Sequence, residues 1–208
     1  KRYVNQAYKY AIQFGRPTLW AFCGLPATGK SSLADALSRT LSIVSFQSDV
    51  VRKESQAGVR NHIVAFGQGL YRPGMRQRVY TKLLALAQDT LKAGHSVILD
   101  ATFSYRKWRD EVRRLCVDLD TNLVFVECLC KEKAIRSRLK TREKTPGHSD
   151  ARLQHFSQIS KEFEPIVECP REFHLKVNTE QPLRHSLSEV LSKGYALKCQ
   201  QVQQIISH

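Results

Sequence analysis

The sequence predicts a three-layer α/β sandwich: a five-stranded, mainly parallel sheet with helices on both faces and a helical lid. Three observations carry that prediction. Short apolar runs alternate with helical patterns along the chain, which makes βαβ units with right-handed crossovers. The stretch Gly24-Leu25-Pro26-Ala27-Thr28-Gly29-Lys30-Ser31, with Ser32 behind it, reads G-x-x-x-x-G-K-S between a strand-type run and a helical stripe. Asp49 and Asp100 close the second and third apolar runs, where ligands gather in parallel sheets.

The elements follow in order. Arg2 to Phe14 puts Tyr3, Val4, Ala7, Tyr8, Ala11 and Ile12 on one helical stripe, ended by Gly15-Arg16-Pro17. Thr18 to Cys23 is an aromatic-rich strand. Ser31 to Thr40 aligns Leu33, Ala34 and Leu37 as a helix. Ser42 to Phe46 is the second strand, running into Gln47-Ser48-Asp49, and Val50 to Ala57 begins a helix. Gly58 to Gly74 also holds Gly67, Gly69 and Pro73 and reads as a long irregular connection, functional or mobile. Met75 to Ala93 is a helix stopped by Gly94. Ser96 to Leu99 is a strand of buried parallel type, and Tyr105 to Val117 a basic amphipathic helix. Asn122 to Cys130 is the fourth strand. Lys131 to Arg142 is a cationic helix, Lys144 to Ser149 a loop, and Asp150 to Phe163 a helix. Phe173 to Val177 is the last strand, and Pro182 to Ser192 a helix ended by Gly194. The organisation expected is a helix or linker from an upstream domain (1–17), a nucleotide-binding domain (18–194, lid about 136–149) and a tail (195–208).

Composition narrows the partners. Lys and Arg number 33 against 19 Asp and Glu, a net charge of +14, which favours anionic ligands. The six cysteines form no C-x-x-C pair and several lie in apolar runs, as expected of reduced thiols in a cytoplasmic protein. No apolar run reaches membrane-spanning length and no signal peptide opens the chain, so no membrane partner is expected. A first residue of Lys rather than Met is expected of a monomeric domain cut from a larger protein.

The glycine stretch explains itself chemically. Gly24 and Gly29 let the backbone curl, so that its N–H groups approach phosphate oxygens. The following helix adds positive charge at its N-terminus. Lys30 is expected to reach the β- and γ-phosphates of ATP, and the Ser31 hydroxyl to hold Mg²⁺. Asp100, in V-I-L-D-A-T, is the matching acid that binds Mg²⁺ through water. Asp49 and Arg52, in S-D-V-V-R, stand one helical turn apart. Read locally they are a helix cap and a solvated cation. Placed after the second strand, they are a base for a substrate hydroxyl and a cation to hold that substrate. Thr102, Arg106 and Arg109 follow Asp100 closely enough to line a substrate pocket, though only one of the two arginines need do so. Arg138 and Arg142 share a helix face, Arg136 points elsewhere, and lid arginines neutralise the transferring phosphoryl group.

G-L-P-A-T-G-K-S-S-L-A, S-D-V-V-R-K-E, V-I-L-D-A-T-F and R-L-K-T-R followed by S-D-A together resemble a family of phosphate-loop kinases. Members often lie C-terminal to domains resembling aminoglycoside phosphotransferases. The wider group includes gluconate kinase, chloramphenicol phosphotransferase, zeta toxins and polynucleotide 5′-kinase. The resemblance runs from about Thr18 to Glu180. It implies a P-loop NTPase fold, Asp49 as general base, Arg52 as substrate contact, and Arg138 and Arg142 in the lid. The family is often labelled AAA-type, but neither a sensor motif nor an arginine finger for a second protomer is evident. The expected activity is transfer of the ATP γ-phosphoryl group, with Mg²⁺, to a hydroxyl of a small molecule. A polynucleotide 5′-hydroxyl kinase ranks second, since no aromatic-interleaved basic groove accompanies the charge. A GTPase-like switch lacks N-K-x-D, and D-A-T-F replaces D-x-x-G. A P-loop ATPase or nucleotide-dependent module without an acceptor is disfavoured by intact Lys30, Asp49 and Asp100.

Overall fold

The structure, a computed structural model, describes residues 16–54, 73–143 and 153–206. These form five strands: β1 (Thr18–Cys23), β2 (Val44–Gln47), β3 (Val97–Asp100), β4 (Asn122–Leu129) and β5 (His174–Asn178). All pairings are parallel and the order is β2-β3-β1-β4-β5. The helices described are α1 (Lys30–Leu41), α2 (Ser48–Glu54), α3 (Pro73–Lys92), α4 (Arg106–Asp118), α5 (Glu132–Glu143), α6 (Leu153–Glu162) and α7 (Leu183–Ile206). This is the α/β fold that the alternating pattern predicts and the P-loop NTPase fold that the resemblance implies. The expected Arg2–Phe14 helix, most of the Gly58–Gly74 connection and the Lys144–Ser149 loop lie outside the described residues.

The central strand shows how an unbroken apolar run is sorted. Every residue of β1 is buried. Successive side chains point to opposite faces, so Leu19, Ala21 and Cys23 join one core and Trp20 and Phe22 the other. Val79, Leu83 and Ala87 of α3 and Val112 and Cys116 of α4 cover the first face. Leu33, Ala34 and Leu37 of α1, with Val190 of α7, cover the second. Such burial contributes about 1.5–3 kcal/mol per large apolar side chain. A third cluster of Ala27, Ile135, Leu139 and Phe156 ties α5 and α6 to the glycine loop.

Two boundaries differ from expectation. Ser42 belongs to no strand: at φ 57° it caps α1 in the left-handed region, and β2 starts at Val44. Gly194 does not end the last helix, because α7 continues through it to Ile206. Leu197, just beyond the glycine, packs into the second core, and that burial outweighs glycine's roughly 1 kcal/mol helix penalty. The domain and the supposed tail therefore share one helix.

α7 also buries Lys198, whose ammonium donates to the carbonyl of Arg16 just before β1. Burial pushes the Lys198 amine down to about 8. The unfolded chain then binds more protons between pH 8 and 10.5, so this lysine destabilises the fold at neutral pH and the penalty fades as pH rises. The buried thiols of Cys116 and Cys169, raised to about 11, oppose this above pH 9. The expected result is thus a difference: Lys198→Met melts higher than wild type at pH 7, and the gap closes toward pH 10. A gap that is constant with pH, in paired thermal melts, would contradict it.

Candidate active site

The strand order brings the expected residues to one edge of the sheet. Gln47, Asp100 and Phe22 lie in register at the ends of β2, β3 and β1. Asp49, Asp100 and the loop from Gly24 to Gly29 are therefore neighbours, in that order across the sheet. The loop is concave because Gly24, Ala27 and Gly29 have φ of 126°, 60° and 87°. At Gly24 a Cβ would meet the Cys128 carbonyl oxygen at 2.6 Å, so only glycine fits there. Gly29 caps α1 without any side-chain hydrogen bond, which leaves the amides of the first turn without a side-chain acceptor. The Leu25 carbonyl accepts from Lys30 Nζ at 2.7 Å and from Thr28 Oγ1 at 2.8 Å, which folds Lys30 over its own loop.

Lys30 and Asp100 are both buried. Burial pushes the Lys30 amine down, and the negative charge of Asp100 and then Asp49 works against that. Burial raises Asp100, opposed by the Lys30 charge and by a hydrogen bond from the Ser31 hydroxyl. A hydroxyl and a carboxylate joined at a helix N-terminus form an oxygen donor set of the type Mg²⁺ prefers. The glycine cradle and the uncapped amides likewise fit a polyphosphate. Among the described residues no group of three or more His, Cys, Asp or Glu could hold a metal ion by itself.

Asp49 opens α2, and its carboxylate accepts from Arg52, one turn on. The Asp49 side chain is 30% exposed and that of Arg52 12%, so the pair forms a half-open wall. Thr102 faces inward: its carbonyl accepts the Gly24 amide at 3.1 Å, and its hydroxyl lies 3.3 Å from Tyr80 Oη. The two expected arginines of α4 part company. Arg106 is exposed and pairs with Asp110 on its own helix at 3.4 Å. Arg109 is fully buried, at 2.5 Å from Glu168, and also donates to the carbonyls of Phe103 and Pro165. Arg109 is thus a correction to the expected pocket lining, because all its donors face the core. Removing one partner of a buried pair leaves an uncompensated charge, so Glu168→Ala is expected to destabilise by about 3–5 kcal/mol. A urea midpoint like that of wild type would contradict it.

On the other side of the loop lies a cavity of about 560 Å³, lined by Ala27, Gly29, Arg138, Thr141, Thr179 and Gln181 among others. Arg138 donates to the Ala27 carbonyl at 3.2 Å and to the Thr179 carbonyl at 2.9 Å. Arg138 therefore stands on the β4–β5 side, across the loop from Asp49. Arg136 pairs with Glu132 and lies over the Phe156 ring, away from Arg138. The Arg142 side chain lies outside the described residues. Thr179 and Gln181 escaped sequence reasoning, although their place directly after β5 was a usable signal. Tyr80 had none, being one of many periodic apolar positions on α3.

No described helix is long and apolar enough to cross a membrane. The described cysteines form no disulfide. An uncharacterized protein of Mycobacterium tuberculosis H37Rv is 31% identical over 130 residues, which is 62% of this chain and 26% of that protein. The chain thus spans about a quarter of that relative. A gluconokinase from Sinorhizobium meliloti superimposes with a TM-score of 0.63 at 17% identity, covering 91% of this chain and 99% of that one. The M. tuberculosis APS kinase, solved with AMPPNP and APS, gives 0.61 at 20% identity, covering 86% and 96%. These likenesses are of fold. The family model described as an AAA domain matches residues 19–166, most of the chain, and the chain belongs to that family, with the fold of the phosphate-loop kinases.

Proposed function

We propose that this chain is an ATP-dependent phosphotransferase that moves the γ-phosphoryl group to a hydroxyl of a small molecule. The observation that carries the reading is the row at the sheet edge: Asp49, then Asp100 with Ser31, then the glycine loop with Lys30. The nucleotide base takes the cavity beside Arg138 and Thr179, and the amides from Gly24 to Ser32 hold its phosphates. Ser31 and Asp100 hold Mg²⁺, which when bound neutralises phosphate charge. Asp49 takes the proton of the acceptor hydroxyl as its oxygen bonds to the γ-phosphorus and the bond to the β–γ bridging oxygen breaks. Arg52 and Thr102 hold the acceptor. Lys30 follows the phosphoryl group with its charge. Arg138 reaches the phosphates only by giving up its two carbonyl partners, so its catalytic part requires closure of α5, and Arg142 is assigned the same part.

The fold likenesses leave the acceptor open. The cations of α4 are largely engaged by acids of the same helix: Arg106 and Arg113 by Asp110, and Arg114 by Glu111. That pairing weakens the case for a nucleic-acid groove on this face and keeps the small-molecule acceptor first. The test is a transfer screen with γ-labelled ATP and Mg²⁺ against hydroxyl metabolites and 5′-hydroxyl oligonucleotides. Label transferred to a metabolite supports the reading. Label on the oligonucleotide alone replaces it with end-kinase activity, and neither transfer nor hydrolysis overturns it.

A further inference from the structure

Tyr80 lies on α3, one helix away from the phosphate loop, and its hydroxyl is almost wholly enclosed. Its ring stacks on Trp108, with centroids 4.7 Å apart and planes at 9°, and meets the Phe103 ring edge-on at 5.3 Å. The side chain is therefore held by packing before any polar contact forms. Its oxygen accepts the Phe103 amide at 2.9 Å and lies 3.3 Å from Thr102 Oγ1.

The backbone at that point needs help. Phe103 has φ 46°, a left-handed conformation that costs an ordinary residue about 1–2 kcal/mol. Its two backbone groups are held from two helices: the N–H by Tyr80 of α3, the C=O by Arg109 of α4 at 2.9 Å. The same short segment is stitched to the catalytic edge. Ala101 donates its amide to the Phe22 carbonyl at 3.3 Å, and the Thr102 carbonyl receives the Gly24 amide at 3.1 Å. Asp100, bonded to Ser31, stands at the start of the segment.

We propose that Tyr80 is a positioning residue for this site. Its hydroxyl fixes the 100–103 turn, which sets both the Asp100 carboxylate and the carbonyl that anchors the first glycine of the phosphate loop. The inference rests on the phosphotransferase reading above. It assigns to a buried tyrosine a part in metal and phosphate geometry that its place in the core does not suggest. Tyr80→Phe keeps both ring contacts and removes one oxygen. The buried Phe103 amide then lacks its acceptor, and the turn relaxes toward a conformation that moves Asp100 and the Thr102 carbonyl together. The cavity at Arg138 and Thr179, across the loop, is untouched.

Three readouts on the variant and one on the wild type decide it. A fluorescent ADP analogue without metal should bind Tyr80→Phe within a few-fold of wild type, because the base cavity is unchanged and only the anchor of the phosphate loop at Gly24 shifts. The Mg²⁺ concentration that half-saturates the metal-dependent signal should rise, and kcat for ATP hydrolysis should fall, each by roughly 10-fold, the usual worth of an outer-shell partner. A lower melting temperature with unchanged Mg²⁺ dependence and unchanged kcat would mean that the hydroxyl only supports the core, and the proposal would be wrong. The wild type supplies a reading that does not depend on the variant folding. Exchange of the Phe103 amide should slow on addition of Mg·ADP, and an exchange rate indifferent to Mg·ADP overturns the coupling. A wild type that binds Mg·ADP but neither hydrolyses nor transfers would sink the kinase reading. The metal titration and the amide exchange would still judge Tyr80.

Discussion

Lys30→Ala is expected to lower phosphoryl transfer by roughly 10³-fold or more, at least the loss seen when one donor to developing transition-state charge is removed. The physical reason is that Lys30 is a buried cation whose one hydrogen bond among the described residues runs back to its own loop, at 2.7 Å from the Leu25 carbonyl. Burial pushes its amine down, so the fold holds the charge at a cost. That cost has a second consequence. Removing the lysine should leave the melting temperature close to that of wild type, since relief of the buried amine offsets the loss of its charge beside the buried Asp100. The pairing of large kinetic loss with intact stability separates a functional lysine from a structural one. Equal turnover by wild type and Lys30→Ala, measured with labelled ATP, would end the kinase reading.

Asp49→Asn is expected to separate binding from chemistry. Asparagine keeps the size and one acceptor oxygen but cannot take a proton at neutral pH. The glycine loop and the cavity at Arg138 lie across the sheet from it, so nucleotide affinity should stay within a few-fold. Transfer should fall by about 10²–10⁴, the worth of a positioned general base. Arg52 complicates the variant, because it donates to the Asp49 carboxylate and will keep a weaker bond to the amide oxygen. Arg52→Ala supplies the contrast. It should raise the acceptor KM more than it lowers kcat, if it holds the acceptor equally in ground and transition states. Until an acceptor is found, slow ATP hydrolysis serves as the readout, with water entering in its place. Transfer by Asp49→Asn at the wild-type rate would make Asp49 a helix cap, and the base would then have to be sought at Asp100.

Much of this was legible along the chain because it is local. The G-x-x-x-x-G-K-S stretch needs only its own glycines and a helix behind it, and the strands announced themselves as apolar runs, the second and third of them running into acids. The core faces of β1 follow from a period of two and need no partner to be inferred. By itself, then, the sequence determined the fold class, the phosphate loop with Lys30 and Ser31, and the candidates Asp49 and Asp100 at strand ends. What it left undecided depends on residues far apart in the chain. Arg109 and Glu168 are separated by 59 positions, and nothing in R-K-W-R-D shows that one arginine faces solvent while the other enters the core. Arg138 looked like a partner for the transferring phosphoryl group. The β4–β5 side of the sheet sets it against the Ala27 and Thr179 carbonyls, which it has to leave to play that part. Gly194 read as a stop until the packing of α7 outweighed glycine's helix penalty. Tyr80 is one periodic position among several on α3, and only the left-handed turn at Phe103, brought beside it by the β1–β3 pairing, gives its hydroxyl something to hold. Side-chain chemistry and short spacings are written in the sequence. Which charges are solvated, paired or turned toward a ligand is decided by burial, and burial exists only once the sheet has assembled.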